Sequence, residues 1–134
     1  MSDPNETAPD IEAFEAMAST AMDALPAAFS RNLGRLVVRV AEIAPPEVLR
    51  GLDIADPLEL TGLYEGIPLT QQSALDLPDL PPTVWLYRQA ILWEWAQRGD
   101  VALDYLVTHV LVHEIAHHFG YTDEQIAAID DWRL

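Results

Sequence analysis

The sequence contains no cysteine. Disulfide bonds, thiolate catalysis and cysteine-ligated zinc or iron–sulfur centres are therefore excluded together. No apolar run approaches the roughly 20 residues that a membrane-spanning helix needs. The first ten residues are polar and acidic and lack the basic and apolar regions of a secretory signal. We therefore expect a cytoplasmic protein that does not insert into membranes.

Lysine is absent as well, and the seven basic residues, all arginine, face 22 acidic residues, which gives a formal net charge of −15. Binding to nucleic acid or to an anionic membrane requires clustered cations, so we expect neither partner. The acidity alone names no partner, since a well-solvated surface explains it. The histidines are more informative, because all four lie between positions 109 and 118.

The chain has the size and composition of one folded domain, with 134 residues of which 50% are hydrophobic. We predict a disordered leader over residues 1–9 and a single α+β domain over residues 10–134. Hydrophobic periodicity, prolines and glycines predict the elements of that domain. They are a helix over 10–25 capped by Asp10, a strand over 36–43, a helical turn over 46–49, a short strand within 60–69, a strand over 83–87, a helix over 89–97, and a helix over 101–119 capped by Asp100.

The last of these helices has apolar residues around nearly its whole circumference, which predicts a buried central helix. Its few polar residues are therefore conspicuous, because burying them without partners is costly. His109, His113 and His117 follow one another at four-residue steps and form one stripe, with Glu114 beside it. This stripe is where we expect the chemistry of the protein.

Residues 113–117, with the sequence HEIAH, match the HExxH motif on a helix. Imidazoles one helical turn apart, about 6 Å along the axis, can converge on one ion at Zn–N distances of about 2.0–2.1 Å. The intervening Glu114 then projects toward the open side of the ion, where it can take a proton from water. The alternative interpretation is a pair of buried histidines that hydrogen-bond within the core and hold no metal.

A catalytic zinc requires a third protein ligand, and without cysteine that ligand is a carboxylate or a histidine. Gly120 suits a left-handed helix end that turns the chain back, and Asp123 stands three residues later. We therefore predict Asp123 as the third ligand. In the alternative, Asp123 stabilises the positive end of a terminal helix, since Thr122 is a good N-cap with Gln125 three residues on.

We expect different roles for the two remaining histidines. His118 projects about 140° around the helix from His113, which favours a structural or supporting role over direct metal ligation. His109 lies on the ligand stripe, but its Cα is about 12 Å from that of His117, too far for both rings to share one ion. We expect His109 either to line the cleft or to be buried with a local partner.

The motif resembles that of the zincin metallopeptidases, in particular a small bacterial family of minimal zincin-like metallopeptidases. Residues 113–123 (HEIAHHFGYTD) carry the resemblance, supported by residues 62–69 (GLYEGIPL) and 86–88 (LYR). It implies a single α+β domain in which a small sheet packs against the active-site helix. It further implies that His113, His117 and Asp123 bind Zn²⁺ and that Glu114 is the general base.

The leading hypothesis is zinc-dependent hydrolysis of a peptide or protein substrate, with Glu114 moving the proton. Candidates for a further hydrogen-bond donor to the transition state are Tyr64, Tyr87, Tyr121 and His109. An exposed strand, either 60–64 or 83–87, can align a peptide by strand addition. The alternative interpretation, which we favour, is that both strands form the core of the sheet. Two alternatives remain: a zinc-binding protein without peptidase activity, and an acidic interaction module whose histidines are metal-free. The sequence predicts no oligomeric state.

Overall fold

The computed structural model describes residues 8–67 and 81–129. Its helices, in chain order, are α1 (Ile11–Asp23), α2 (Ala27–Ser30), α3 (Pro46–Gly51), α4 (Arg88–Arg98), α5 (Leu103–His118) and α6 (Asp123–Ile129). Its strands are β1 (Val37–Ala41), β2 (Gly62–Glu65) and β3 (Thr83–Tyr87), and a 3₁₀ turn over Pro57–Glu59 precedes β2. Helices around a small sheet form an α+β fold, which confirms the predicted fold class.

The three strands form one mixed sheet in the order β1-β3-β2. Strand β1 runs parallel to β3, with Val38 opposite Val84, and β2 runs antiparallel to it, with Leu63 opposite Trp85. Because side chains alternate along a strand, β3 contributes to both faces of the sheet. Val84 and Leu86 enter the main core, whereas Trp85 and Tyr87 pack in a second cluster.

Helix α1 begins where the sequence predicted, because Asp10 caps it. The Asp10 carboxylate accepts a hydrogen bond from the backbone N–H of Ala13 at 2.9 Å. The apolar stripe of the helix buries Phe14 and Ala18 in the main core. Its end comes at Asp23, two residues before the predicted position, and Pro26 then precedes the short helix α2.

Helix α5 begins later than predicted, and Asp100 does not cap it. The N-cap residue is Ala102, without a side-chain hydrogen bond to the helix. The indole Nε1 of Trp95 donates to the backbone carbonyl of Val101 at 3.0 Å. This bond comes from the preceding helix and holds Val101 in the connecting loop, so the tertiary contact moves the helix start to Leu103.

Helix α5 occupies the centre of the fold, as its apolar circumference predicted. It packs against α1 on one side, against β2 and β3 on another, and against α4 and α6. Its buried residues are Leu103, Leu106, Val107, Val110, Leu111, Ile115 and His118. The fold thus supports the histidine-bearing helix from several directions.

Pro9, the last residue of the predicted leader, contacts the domain through Arg88. The Arg88 Nε atom donates to the carbonyl of Pro9 at 2.7 Å, and its Nη1 atom donates to Glu42 at 2.9 Å.

Residues 1–7 of the predicted leader, and the last two residues of the strand predicted within 60–69, lie outside the described residues. None of the helices in the described ranges combines the length and apolar character of a bilayer span.

Candidate metal centre

The C-terminal end of α5 brings the residues of the motif together. His113 and His117 lie one turn apart on the helix, with their ring centroids separated by 5.0 Å. Gly120 adopts a φ of 92°, and the backbone N–H groups of Gly120 and Tyr121 donate to the carbonyls of His117 and Ala116. These are the two bonds of a Schellman helix end, which reverses the chain toward α6.

The reversal places Asp123 against both imidazoles. Its Oδ1 atom lies 3.2 Å from Nε2 of His113 and 2.9 Å from Nε2 of His117. The Asp123 side chain is 80% exposed, whereas those of His113 and His117 are 33% and 23% exposed. The three groups therefore meet at the surface end of the helix, with one side open to solvent.

The alternative interpretation of Asp123, as a residue that supports a helix start, concerns the first turn of α6. The Thr122 hydroxyl accepts from the N–H of Gln125 at 3.2 Å, and the Gln125 amide oxygen accepts from the N–H of Thr122 at 2.8 Å. This reciprocal pair is a capping box. Asp123 lies in the first turn of α6, as the alternative expects, and its carboxylate also contacts both histidines, so the two roles are compatible.

The chemistry of this donor set fits a zinc ion. The Nδ1 atom of His117 lies 2.9 Å from the backbone carbonyl of Tyr121. A carbonyl only accepts, so Nδ1 carries a proton, and Nε2, which faces the Asp123 carboxylate, is the ring atom that could bind a metal. Ligands at 2.0–2.1 Å from a tetrahedral zinc are about 3.3 Å from one another, close to the spacing observed.

Glu114 lies beside this cluster, on the side of the sheet. Ligand atoms of His113, Glu114 and His117 all lie within 4.8 Å of one another. Burial raises the pKa of the Glu114 carboxyl above its ordinary value, and the nearby Asp123 carboxylate raises it further. The two histidines and a hydrogen bond from the Tyr64 backbone N–H oppose that rise in the pKa. A carboxyl with a raised pKa suits proton transfer near neutral pH.

The outer edge of β2 faces Glu114. The N–H of Tyr87 donates to the carbonyl of Thr61 at 2.9 Å, which makes this a hydrogen-bonded pair of the antiparallel ladder. Such pairs alternate with non-bonded ones, so the backbone groups of Gly62 and Tyr64 point away from β3. This orientation explains how the Tyr64 N–H reaches the Glu114 carboxylate.

A cleft of about 610 Å³ opens next to the candidate centre. It lies between α5, the C-terminal half of α4 and the chain that enters β2. The residues that line it are Glu59, Leu60, Thr61, Gly62, Glu94, Arg98, Leu106, His109, Val110, His113 and Glu114. His113 and Glu114 of α5 and Gly62 of β2 thus line one cleft.

The four residues suggested as hydrogen-bond donors to the transition state lie in different surroundings. His109 lines the cleft with His113 and Glu114, whereas Tyr121 lies at a different, apolar pocket. The Tyr64 hydroxyl lies 2.8 Å from Nδ1 of His118. Tyr87 is buried in the second cluster, where burial and the charges of two glutamates raise its pKa to about 12.

The two strands suggested for peptide alignment also differ. Strand β3 pairs with β1 on one side and with β2 on the other, so it has no edge to offer. The suggestion of residues 83–87 was therefore wrong. Within the described residues, β2 pairs on one side only. Residues 60–64 remain the candidate, because their free edge borders the cleft.

His118 lies apart from the ligand atoms, in the interior. Its side of α5 faces β2, and the residue is 1% exposed. The Nε2 atom lies 2.9 Å from the carbonyl of Leu33, and burial lowers the pKa of the ring. These contacts describe a neutral structural histidine.

Sequence reasoning missed the backbone partners of the site. The Tyr121 carbonyl and the Tyr64 N–H left no side-chain signal, because any residue supplies such groups. Gly62 did leave a signal, since an isolated glycine in a strand indicates a close approach of another element. A Cβ atom at this position would lie 2.6 Å from Cγ1 of Val110 and 3.3 Å from Cγ of Glu114.

Comparison with known proteins agrees with this geometry. The family model described as zincin-like metallopeptidase matches residues 33–133 of the 134-residue chain. A comparison with curated proteins found no match. The matched segment contains all three strands, helix α5 and the reversal that carries Asp123. The chain therefore belongs to the zincin-like metallopeptidase family.

Proposed function

We propose that the protein is a zinc-dependent peptidase in which His113, His117 and Asp123 hold the metal and Glu114 is the general base. One observation carries this proposal. One carboxylate oxygen of Asp123 lies within 3.2 Å of an imidazole nitrogen of each of two histidines, beside the half-buried Glu114 carboxyl group and at the end of an open cleft. Family membership supports the proposal, because it predicts the same metal and the same reaction class.

Zinc bound by these residues supplies a Lewis acid for the scissile carbonyl and a water molecule whose pKa is lowered to about 7. Glu114 accepts the proton of the attacking water and returns it to the leaving amine. Its burial and the Tyr64 N–H support this role, because they hold the carboxyl in one place and raise its proton affinity. The Tyr121 carbonyl fixes the His117 tautomer that binds a metal.

The substrate proposed for the cleft is a peptide in extended conformation. The outward backbone groups of β2 can pair with such a peptide, as in strand addition. His109 is then the donor candidate for the transition state, since it lines the same cleft one helical turn before His113. Its ring touches the cleft without competing for the metal, which His113 and His117 reach with Asp123.

The decisive experiment replaces Glu114 by glutamine. The Glu114→Gln variant should retain one zinc per chain, because the three ligands remain, and should lose peptide hydrolysis by at least about 100-fold, because glutamine accepts no proton. Zinc content by elemental analysis and turnover of a peptide library measure the two quantities. The Glu47→Gln variant, an exposed position on α3, makes the same chemical change and should leave both unaltered.

Three results contradict the proposal. Equal turnover by wild type and Glu114→Gln excludes Glu114 as the base. A wild-type protein that holds zinc but cleaves no member of the library supports the zinc-binding alternative. A protein purified without chelators and found free of metal supports the acidic interaction module.

A further inference from the structure

A chain of hydrogen bonds runs from Leu33, in the segment before β1, through His118 of α5 to Tyr64 of β2. The His118 Nε2 atom lies 2.9 Å from the Leu33 carbonyl, and its Nδ1 atom lies 2.8 Å from the Tyr64 hydroxyl. Because the carbonyl only accepts, Nε2 donates its proton to Leu33. The Nδ1 atom of the neutral ring then accepts, so the Tyr64 hydroxyl is the donor.

The hydrogen bond between Tyr64 and His118 lies on the same face of α5 as Glu114. Val110, Glu114 and His118 follow one another at four-residue steps, so they form one stripe of α5. Strand β2 runs along that stripe. Gly62 lies against Val110 and Glu114, the backbone N–H of Tyr64 donates to Glu114, and the Tyr64 hydroxyl donates to His118.

The same tyrosine thus makes two bonds of different kinds. Its backbone N–H contacts the carboxylate proposed as the general base, and its side chain is tied to the helix one turn further on. The amide points away from β3, so no hydrogen bond of the sheet holds it, although the pairing of Leu63 with Trp85 sets its direction. The hydroxyl bond to a histidine that is 1% exposed adds a second restraint, between the strand and α5.

We propose that Tyr64 and His118 are positioning residues whose hydrogen bond fixes the edge of β2, so that the Tyr64 backbone N–H holds the Glu114 carboxylate in place for proton transfer. This role rests on the proposed function of Glu114. The Tyr64 hydroxyl does not contact the metal ligands, and its effect passes through the strand. A displacement of about 1 Å at a reacting group can cost about 100-fold in rate, so the restraint affects catalysis.

The test uses the Tyr64→Phe variant of the full chain, loaded with zinc. Removing the hydroxyl should increase hydrogen exchange of the residue 64 amide by about 10-fold or more, as measured by NMR, because the amide loses its hold on Glu114. The amide of Leu63, which pairs with β3, should change by less than about threefold if the strand stays in place. In peptide turnover, kcat should fall by about 10-fold or more, with KM within about threefold.

Two further variants separate this role from general loosening of the fold. Tyr105→Phe deletes a hydroxyl from α5 and should leave exchange at residue 64 unaltered. His118→Leu removes the acceptor and should reproduce the effect of Tyr64→Phe. The double variant should add nothing to exchange at residue 64, because both changes break the same bond.

The proposal is overturned if Tyr64→Phe leaves exchange at residue 64 unaltered, or if Leu63 and residue 64 accelerate equally. The second result indicates a purely structural bond. The exchange measurement does not depend on turnover. A wild-type protein without peptidase activity therefore contradicts the proposed function, while exchange still decides whether the pair holds Glu114.

Discussion

His117 is held at both of its ring nitrogens. The Nδ1 atom donates to the Tyr121 carbonyl, and the Nε2 atom faces the Asp123 carboxylate at 2.9 Å. A backbone carbonyl at Nδ1 orients a metal-binding imidazole and increases the basicity of its Nε2 atom. The Schellman turn supplies both contacts, because Tyr121 and Asp123 lie one and three residues after Gly120. A single local reversal therefore completes the ligand set.

The contribution of Asp123 can be measured with Asp123→Asn. The amide keeps the shape of the side chain but loses the negative charge, so we expect zinc affinity to fall by about 100-fold or more. Competition with a chromophoric chelator measures the change. Glu124→Gln removes the same charge one residue later on α6 and should alter the affinity by less than about threefold, since exposed charges are screened. Equal losses in the two variants contradict direct ligation by Asp123.

Among individual residues, the sequence predicted the histidines correctly as a group at one end of α5, because the spacing of residues on a helix is a local property. It did not predict the different surroundings of the three candidate tyrosines, none of which is among the described residues that line the cleft. Tyr64, Tyr87 and Tyr121 are equivalent in sequence, and only packing against His118, the second cluster or the apolar pocket distinguishes them.

At the scale of elements, the close contact between β2 and α5 organises the site. Gly62 allows this contact, because any side chain there meets Val110 and the Trp85 carbonyl, 2.6 Å and 3.1 Å from a Cβ atom. The carbonyl belongs to the backbone of β3 and cannot turn aside. The distance between the strand edge and Glu114 therefore depends on the absence of a side chain at position 62.

Gly62→Ala should separate β2 from α5. We expect a loss of about 1–3 kcal/mol in the free energy of unfolding, measured by urea titration, because overpacking forces the elements apart. Peptide turnover should fall while zinc content stays, since the ligands lie on α5 and α6. Gly51→Ala is the matched control, because a Cβ there meets nothing within 4 Å. Similar destabilisation by both substitutions contradicts the close-contact explanation.

The element boundaries show where local signals are insufficient. The Asp10 cap was predicted correctly because an N-cap acts within its own helix. The Asp100 cap was wrong because the Trp95 indole holds Val101 from a different element. Strand 83–87 was located correctly but not recognised as central, since the order of strands in a sheet depends on pairings between distant residues.

Over the whole molecule, the candidate metal centre joins α6 to the rest of the fold. Helix α6 is short, and it contacts α5 less extensively than α1 and β2 do. The proposed ligand set spans the junction, with His113 and His117 on one helix and Asp123 on the other. An ion bound there would link a terminal element to the central helix.

Removal of the metal should lower the thermal stability of the protein. A ligand at about 1,000 times its Kd contributes about 4 kcal/mol, which corresponds to a Tm decrease of about 10 °C on its removal. Melting followed by circular dichroism, with EDTA and then with zinc added back, measures the effect. Asp123→Asn should reduce the difference. An identical Tm with and without EDTA contradicts the metal centre and favours the acidic interaction module.

The sequence by itself determined the α+β class, the buried helix and the spacing of His113 and His117 with Asp123 beyond a glycine reversal. These features follow from periodicity and helix ends, which act over a few residues. Only the tertiary structure decided that β2 is the strand beside the cleft, that its Tyr64 N–H reaches Glu114, and that His118 anchors the same tyrosine. Those contacts join residues about 50 positions apart, and their partners are largely backbone groups, which every residue carries and no sequence pattern distinguishes.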